Sequence, residues 1–147
     1  AYTENMQRLL RKFDTAKRYL PEPIRRDAPD RVPAGAIYFG STSPAMVEAV
    51  DRLAAQGVGL DLLRLRAFPF HDEVREFIAA HDQVFVVEQN RDGQMRTLLV
   101  NELDIDPAKL TRVLHYDGTP ITARFIADAI AENVDSRKIV PLRKARP

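Results

Sequence analysis

Short apolar runs alternate along this chain with segments whose apolar residues recur every three or four positions. The runs are predicted strands, and they lie at 36–39, 60–65, 84–87 and 110–114. A run that is apolar throughout indicates a strand covered on both faces, and helical spacing between runs indicates crossover helices. The alternation therefore predicts an α/β fold with three α/β/α layers around a mostly parallel sheet.

A different pattern precedes the first strand. Met6, Leu9 and Phe13 share one face of a predicted helix, which Pro21 stops. The segment that follows, 21–33, is rich in proline and charge, which is typical of a linker or an extended strap.

This pattern gives a simple division of the chain. We expect residues 1–33 to be a helix and connector leading from an upstream domain, and residues 34–147 to be one α/β domain. The pattern assigns four strands, and 139–142 is a candidate for a fifth.

Composition excludes several classes of function. The chain of 147 residues has no cysteine, so disulfides, iron–sulfur ligation and a thiol nucleophile are excluded. A net charge of +1 argues against a nucleic-acid partner, and no apolar run approaches the roughly 20 residues that span a bilayer. We expect a cytoplasmic protein without nucleic-acid or membrane partners. The basic tail, 136–147, is either a solvated terminus or a strap for an acidic partner.

The first polar loop follows the first strand. Gly40 and Ser41 begin it, Ser43 is placed to cap the next helix, and Pro44 suits the first helical position. The loop is not a phosphate-binding P-loop, because no Gly-Lys-Ser/Thr follows. A tight structural turn and an anion site both remain open.

The second polar loop, 88–94, follows the most apolar run. Glu88 lies at the end of a buried strand, where a carboxylate without partners is costly. We therefore expect it to accept hydrogen bonds from backbone N–H groups of a nearby loop or from a basic side chain. Gly93 permits a backbone angle that other residues resist. A structural turn and an interface or ligand loop are both open.

No residue is assigned to catalysis, to a cofactor or to a metal. His71, His81 and His115 have no metal-ligand spacing, and we interpret them as a helix cap, a solvent-facing helix end and a strand residue. The tripeptide 68–70, Phe-Pro-Phe, is predicted to be a core-packed bend.

Four stretches, read in order, resemble one family. They are GSTSPAMVEAVDRLAAQG, LRLRAFPFHDEVREF, VFVVEQNRDGQMRTLL and LHYDGTPITARFI. Together they resemble the carboxy-terminal domain of the alpha subunit of 2-oxoacid:ferredoxin oxidoreductases of the 2-oxoglutarate type. The family pattern falls on Gly40, Ser41, Glu88, Asn90, Gly93, Gln94, Gly118 and Pro120, which we take as interface candidates.

The resemblance implies a fold like the transketolase carboxy-terminal domain, with a mixed sheet of about five strands. It also implies a parent enzyme that uses thiamine diphosphate, magnesium, coenzyme A and iron–sulfur clusters and reduces ferredoxin. The thiamine site of that family lies in another alpha-subunit domain and the beta subunit, so this chain alone is predicted to be an inactive assembly domain.

Three other readings stay open. The chain resembles, less closely, the last domain of a transketolase or of a 2-oxoacid dehydrogenase. It is otherwise a stand-alone anion-binding domain. The helix starts after Gly40 and Gly93 are also candidates to meet a coenzyme A or diphosphate edge.

Overall fold

The computed structural model describes residues 1–134, so the basic tail and the candidate strand at 139–142 lie outside the described residues. The strands are β1 (Ile24–Arg26), β2 (Ala34–Phe39), β3 (Asp61–Leu65), β4 (Gln83–Glu88) and β5 (Leu110–Leu114). The helices are α1 (Tyr2–Lys17), α2 (Ser43–Ala55), α3 (Asp72–Ala80), α4 (Gln94–Leu103) and α5 (Ala123–Asn133), with short 3-10 turns at Gly40–Thr42 and Pro107–Lys109.

The five strands form one sheet in the order β1-β3-β2-β4-β5. β3, β2, β4 and β5 are parallel, and β1 runs antiparallel to β3 at one edge. The predicted mostly parallel sheet of about five strands is confirmed. Its fifth strand is β1, inside the segment 21–33, where proline and charge hide the strand signal from the sequence.

The helices cover the sheet from both sides and complete three layers. α2 and α5 pack together on one face, over a core that includes Met46, Leu53, Phe85 and Ile126. α3 and α4 cover the other face, over a second core. Both faces of the central strands are therefore buried, which is why their sequences are apolar almost throughout.

The spacing of Val47, Val50, Leu53 and Ala54 predicts a buried face for α2 that is rotated from the observed one. Met46, Ala49 and Leu53 are fully buried, whereas Val47 is 44% exposed. The physical reason is the 3-10 turn that precedes the helix. Ser43 becomes the first helical residue and makes no capping hydrogen bond, so its predicted role as a cap is wrong.

The sequence predicts a last helix directly after Pro120 with Phe125 on its inner face, whereas α5 starts at Ala123. The Thr122 hydroxyl accepts a hydrogen bond from the Phe125 N–H at 3.2 Å and so caps the helix. With this start, Phe125 lies at the surface against the His115 ring, 4.9 Å between centroids, rather than in the core.

The prediction that His81 faces solvent is wrong. His81 is 2% exposed, its Nδ1 lies 2.7 Å from the Phe77 carbonyl oxygen, and its Nε2 lies 3.0 Å from Asp61 Oδ2. The Asp61 Oδ1 atom accepts the Ala28 N–H at 2.7 Å. This buried pair therefore joins α3 and β3 to the chain that follows β1. His71 holds the N-cap position of α3, although its side chain makes no capping hydrogen bond.

Gly35 supports the same junction because a side chain does not fit there. A Cβ atom at Gly35 would lie 2.7 Å from Phe77 Cζ and 3.2 Å from His81 Cγ. The backbone of β2 thus approaches α3 closely enough for the Phe77 and His81 rings to lie directly on it.

Helix α1 is present as predicted, but none of its residues is buried. Its Phe13 ring meets the Phe68 ring at 6.4 Å, and Phe68 in turn meets the buried Phe70 at 5.2 Å. The bend at 68–70 is therefore half in the core and half exposed. Among residues 1–134, no helix has the length and apolar character needed to cross a bilayer.

The Asp61–His81 pair gives a test of the fold. Replacing Asp61→Ala removes the partners of the His81 ring and of the Ala28 N–H, which should lower the free energy of unfolding by about 3 kcal/mol. Asp61→Asn should cost less than about 1 kcal/mol, because its carboxamide can accept from Ala28 and donate to a neutral His81. Urea unfolding followed by circular dichroism measures both, and equal losses for the two variants would contradict the assignment.

Candidate functional site

The carboxyl ends of the parallel strands meet along one side of the sheet, here called the strand-end edge. It comprises the turn Gly40–Thr42 after β2, the loop 89–93 after β4 and the loop 115–120 after β5. The chain passes from β2 to β3 in one direction and then crosses to β4 on the other side of β2. This reversal puts the topological switch point between β2 and β4, the place where open α/β sheets bind ligands.

Glu88 is fully buried at this edge, and the prediction that its carboxylate accepts hydrogen bonds is confirmed. Its Oε2 accepts the Met95 N–H at 2.7 Å and the Asn90 side-chain N–H at 2.8 Å, and its Oε1 accepts the Arg96 N–H at 3.0 Å. The acceptor lies at the amino terminus of α4, where the helix dipole favours a negative charge. Glu88 thus orders the loop from inside and, being covered, offers no surface of its own.

Asn90 completes the start of α4. Its side-chain oxygen accepts the Gly93 N–H at 2.8 Å and the Gln94 N–H at 3.3 Å, while its amide nitrogen donates to Glu88. Gly93 takes a left-handed conformation, φ +65°, and a Cβ atom there would lie 3.3 Å from Arg112 Nε. The predicted need for glycine at 93 is confirmed on both counts.

The hydrogen bonds to Glu88 and Asn90 use the backbone N–H groups at the start of α4. A helix begins with N–H groups that have no partner inside the helix, and such groups form ready anion sites. Here the N–H groups from Gly93 to Arg96 already donate hydrogen bonds to the side chains of Asn90 or Glu88. The α4 start is therefore filled by an internal carboxylate, so its N–H groups are not free to bind a coenzyme A or diphosphate edge.

Gln89 joins the two polar loops. Its side-chain amide donates to Ser41 Oγ and to Thr42 Oγ1, each at 3.1 Å. The Gly40–Thr42 turn starts at φ +59°, which lets the chain leave β2 sharply enough to bring these hydroxyls opposite β4. The crevice at the switch point is thus bridged by protein hydrogen bonds.

The third loop, which contains Gly118 and Pro120, is held mainly by its own residues. Asp117 Oδ1 accepts the Thr119 N–H at 2.8 Å and the Thr119 hydroxyl at 2.7 Å. These donors, with a smaller contribution from His115, hold the pKa of Asp117 below its usual value. The His115 N–H also donates to the Glu88 carbonyl at 2.9 Å, which fixes the loop beside β4.

Arg96 extends the site toward the start of β5. While its N–H meets Glu88, its guanidinium donates to the Leu110 and Pro107 carbonyls, each at 2.7 Å. One residue therefore ties the first turn of α4 to the chain that leads into β5.

Within residues 1–134, no group of three or more His, Cys, Asp or Glu side chains could hold a metal. The carboxylate nearest the switch point, Glu88, already has three donors.

Sequence reasoning found most of the polar edge but missed Gln89 there and Asp61 at the opposite end of the sheet. Gln89 lacks a signal of its own, because a glutamine in a polar loop is common. Asp61 had a signal, since an acid that opens an apolar strand must find a partner. The exposed residues of the site include Ser41, Gln89, Arg91, Asp92, Gln94, Gly118 and Pro120.

No protein-family model matches the sequence. A curated relative does: the chain is 27% identical over 124 residues to 2-oxoacid:ferredoxin oxidoreductase 2, subunit alpha, from Aeropyrum pernix. The match covers 82% of this chain and 19% of that protein.

Solved structures give the same fold. The chain is similar to 2-oxoglutarate:ferredoxin oxidoreductase from Magnetococcus marinus, with a TM-score of 0.73, 22% identity, and coverage of 83% of this chain and 21% of that one. That enzyme was solved with 2-oxoglutarate, coenzyme A and succinyl-CoA bound. A split-gene transketolase in an inactive beta4 tetramer matches with a TM-score of 0.59, 16% identity, and coverage of 74% of this chain and 40% of that one.

These comparisons confirm two predictions. The resemblance to the alpha subunit of 2-oxoacid:ferredoxin oxidoreductases is confirmed, and so is the transketolase-like α/β fold. The chain spans about a fifth of the length of the curated relative and of the Magnetococcus chain.

Glu88 gives the test of the site. In Glu88→Gln, one acceptor oxygen becomes an N–H donor that opposes a donor already in place. We expect the free energy of unfolding to fall by about 2 kcal/mol. The amides of Met95 and Arg96 should exchange with solvent faster, which hydrogen exchange by NMR measures.

The matched control is Glu102→Gln, an exposed position in the last turn of the same helix. It should change stability by no more than about 0.5 kcal/mol. Unchanged exchange at Met95 and Arg96 in Glu88→Gln would show that the carboxylate does not hold the loop.

Proposed function

We propose that this chain supplies a non-catalytic assembly domain to the alpha subunit of a thiamine diphosphate-dependent 2-oxoacid:ferredoxin oxidoreductase, with 2-oxoglutarate the favoured substrate. The ordered motifs and the 27% identity to the Aeropyrum alpha subunit support the family. The 2-oxoglutarate bound to the Magnetococcus enzyme supports the substrate.

The assembly role is supported by a contrast at the strand-end edge, where some polar side chains bond inside the domain and others are exposed. Buried Glu88 and half-buried Asn90 use their polar atoms inside the domain. Arg91 and Asp92 instead present exposed side chains, paired with each other at 2.7 Å, on a loop that those internal bonds hold in place. A fixed polar surface of this kind fits the rim of a protein interface.

The remaining parts of the enzyme follow from this assignment. Other alpha-subunit domains and a beta subunit would hold thiamine diphosphate, magnesium and coenzyme A, and iron–sulfur clusters would pass electrons to ferredoxin. Residues 1–33 would connect to an upstream domain, and 34–147 would be the domain itself. A cytoplasmic location belongs to the same proposal.

A second candidate is the equivalent domain of a transketolase. The likeness to the split-gene transketolase favours it, although 16% identity supports the fold alone. The two candidates differ in electron transfer, because only the oxidoreductase reduces ferredoxin when it is given a 2-oxoacid and coenzyme A.

Ligand binding by the isolated chain can be measured as a rise in its melting temperature. A site with a Kd of about 10 μM would add about 2.7 kcal/mol of stability at about 1 mM ligand. We expect no such rise in melting temperature with thiamine diphosphate and magnesium, coenzyme A or inorganic phosphate. A rise of several degrees with any of them would favour a stand-alone ligand-binding domain.

The role of the loop 89–93 in assembly can be tested by removing its exposed charges. In the parent alpha subunit, the double variant Arg91→Ala/Asp92→Ala should weaken association with the neighbouring parts at least tenfold, about 1.4 kcal/mol. Glu88, Asn90 and Gly93 remain in place, so the loop itself should keep its conformation. Association is measured by titrating purified subunits, and ferredoxin reduction is followed in parallel.

The control removes the same kinds of charge from the opposite side of the sheet. Arg31→Ala/Asp82→Ala lies beside the starts of β2 and β4, away from the strand-end edge. It should leave association unchanged. Equal affinity for the loop variant and the control would overturn the interface assignment.

A further inference from the structure

Helix α1 carries an uncovered apolar stripe. Met6 is 37% exposed, Leu9 39%, Phe13 52%, Leu10 67% and Tyr2 78%. Their spacing of three and four residues puts them on one side of the helix. Five exposed apolar side chains on one face of a helix make this face a candidate interaction surface.

The contacts that fix α1 to the domain lie toward its carboxyl end. Phe13 meets Phe68, and Lys17 Nζ lies 3.4 Å from Asp72 Oδ1. The stripe from Tyr2 to Leu10 therefore extends beyond these anchors, with its direction set by them.

The size of the stripe restricts what can cover it. Sixteen residues make a helix about 24 Å long, so one face about 10 Å wide offers roughly 240 Å². A stable interface between separate chains needs about 800 Å² on each side. The stripe is too small to hold a free partner or a second copy by itself, whereas a domain joined to α1 through the polypeptide is held by its high effective concentration.

The charge of α1 also disfavours a second copy of this chain as the partner of the stripe. Four basic residues of α1, Arg8, Arg11, Lys12 and Lys17, outnumber its two acids, Glu4 and Asp14, so two copies of the helix would repel each other. Lys12 lies one turn from Leu9, beside the stripe, and Arg8 lies one turn from Lys12. A complementary surface has an apolar floor with carboxylates along that side.

We propose that the α1 stripe is an intramolecular docking surface, seated in an apolar groove with an acidic rim on the adjoining domain of the larger alpha subunit. This inference rests on the proposed function, since that function requires an adjoining domain. It adds a second contact, separate from the strand-end edge.

The test uses the 147-residue chain, in which the α1 stripe and the strand-end edge act together, and a preparation of alpha and beta subunits that lacks this domain. Titration calorimetry should detect binding of the wild-type chain. The variant Met6→Glu/Leu9→Glu should bind at least tenfold more weakly, and Arg8→Ala/Lys12→Ala should reduce the salt dependence of binding. Thr15→Glu adds a negative charge on the opposite face and should bind like wild type. Circular dichroism verifies that each variant keeps its helix.

The outcomes separate the two proposals. If the stripe variant binds like wild type while Arg91→Ala/Asp92→Ala weakens binding, the α1 inference fails and the proposed function stands. If the wild-type chain does not bind the subunits, both fail. If α1 instead holds the chain on phosphatidylserine vesicles, or forms a dimer that Met6→Glu/Leu9→Glu abolishes, the docking assignment is overturned.

Discussion

One buried carboxylate organises the edge on which the proposed role depends. Glu88 ends the central strand β4 without exposure to solvent, and a charge there is tolerated only because three N–H donors converge on it. Those donors belong to the loop and to the first turn of α4. The strand, the loop and the helix therefore adopt their arrangement together, and the arrangement directs the exposed side chains of the loop outward.

The same bonds separate this fold from relatives in architecture that bind nucleotides. Open α/β sheets commonly use the helix start at the switch point to hold a phosphate. In this chain Glu88 and Asn90 take that place, and Gln89 bridges the crevice to Ser41 and Thr42. The framework of a binding site is present, but protein atoms occupy it, which fits a domain that supports a neighbouring site.

Much of the fold could be predicted from the sequence because its determinants are local. Apolar runs identified four strands, and the cost of burying Glu88 identified the hydrogen bonds it would accept. The remaining features depend on distant partners. β1 is a strand only because β3 lies beside it, and His81 is buried because Asp61 and Gly35 meet it from other elements. The burial of α2 differs by a small rotation that a 3-10 turn introduces, and composition does not reveal such a turn.

Arg96 connects the first turn of α4 to the start of β5. Its backbone N–H donates to Glu88, while its guanidinium donates to the carbonyls of Pro107 and Leu110 at the start of β5. Displacement of the β4 loop would thus reach the start of β5 through Arg96 as well as through the pairing of β4 with β5. Among the described residues β5 is an edge strand, so Arg96 gives it a second attachment to the rest of the domain.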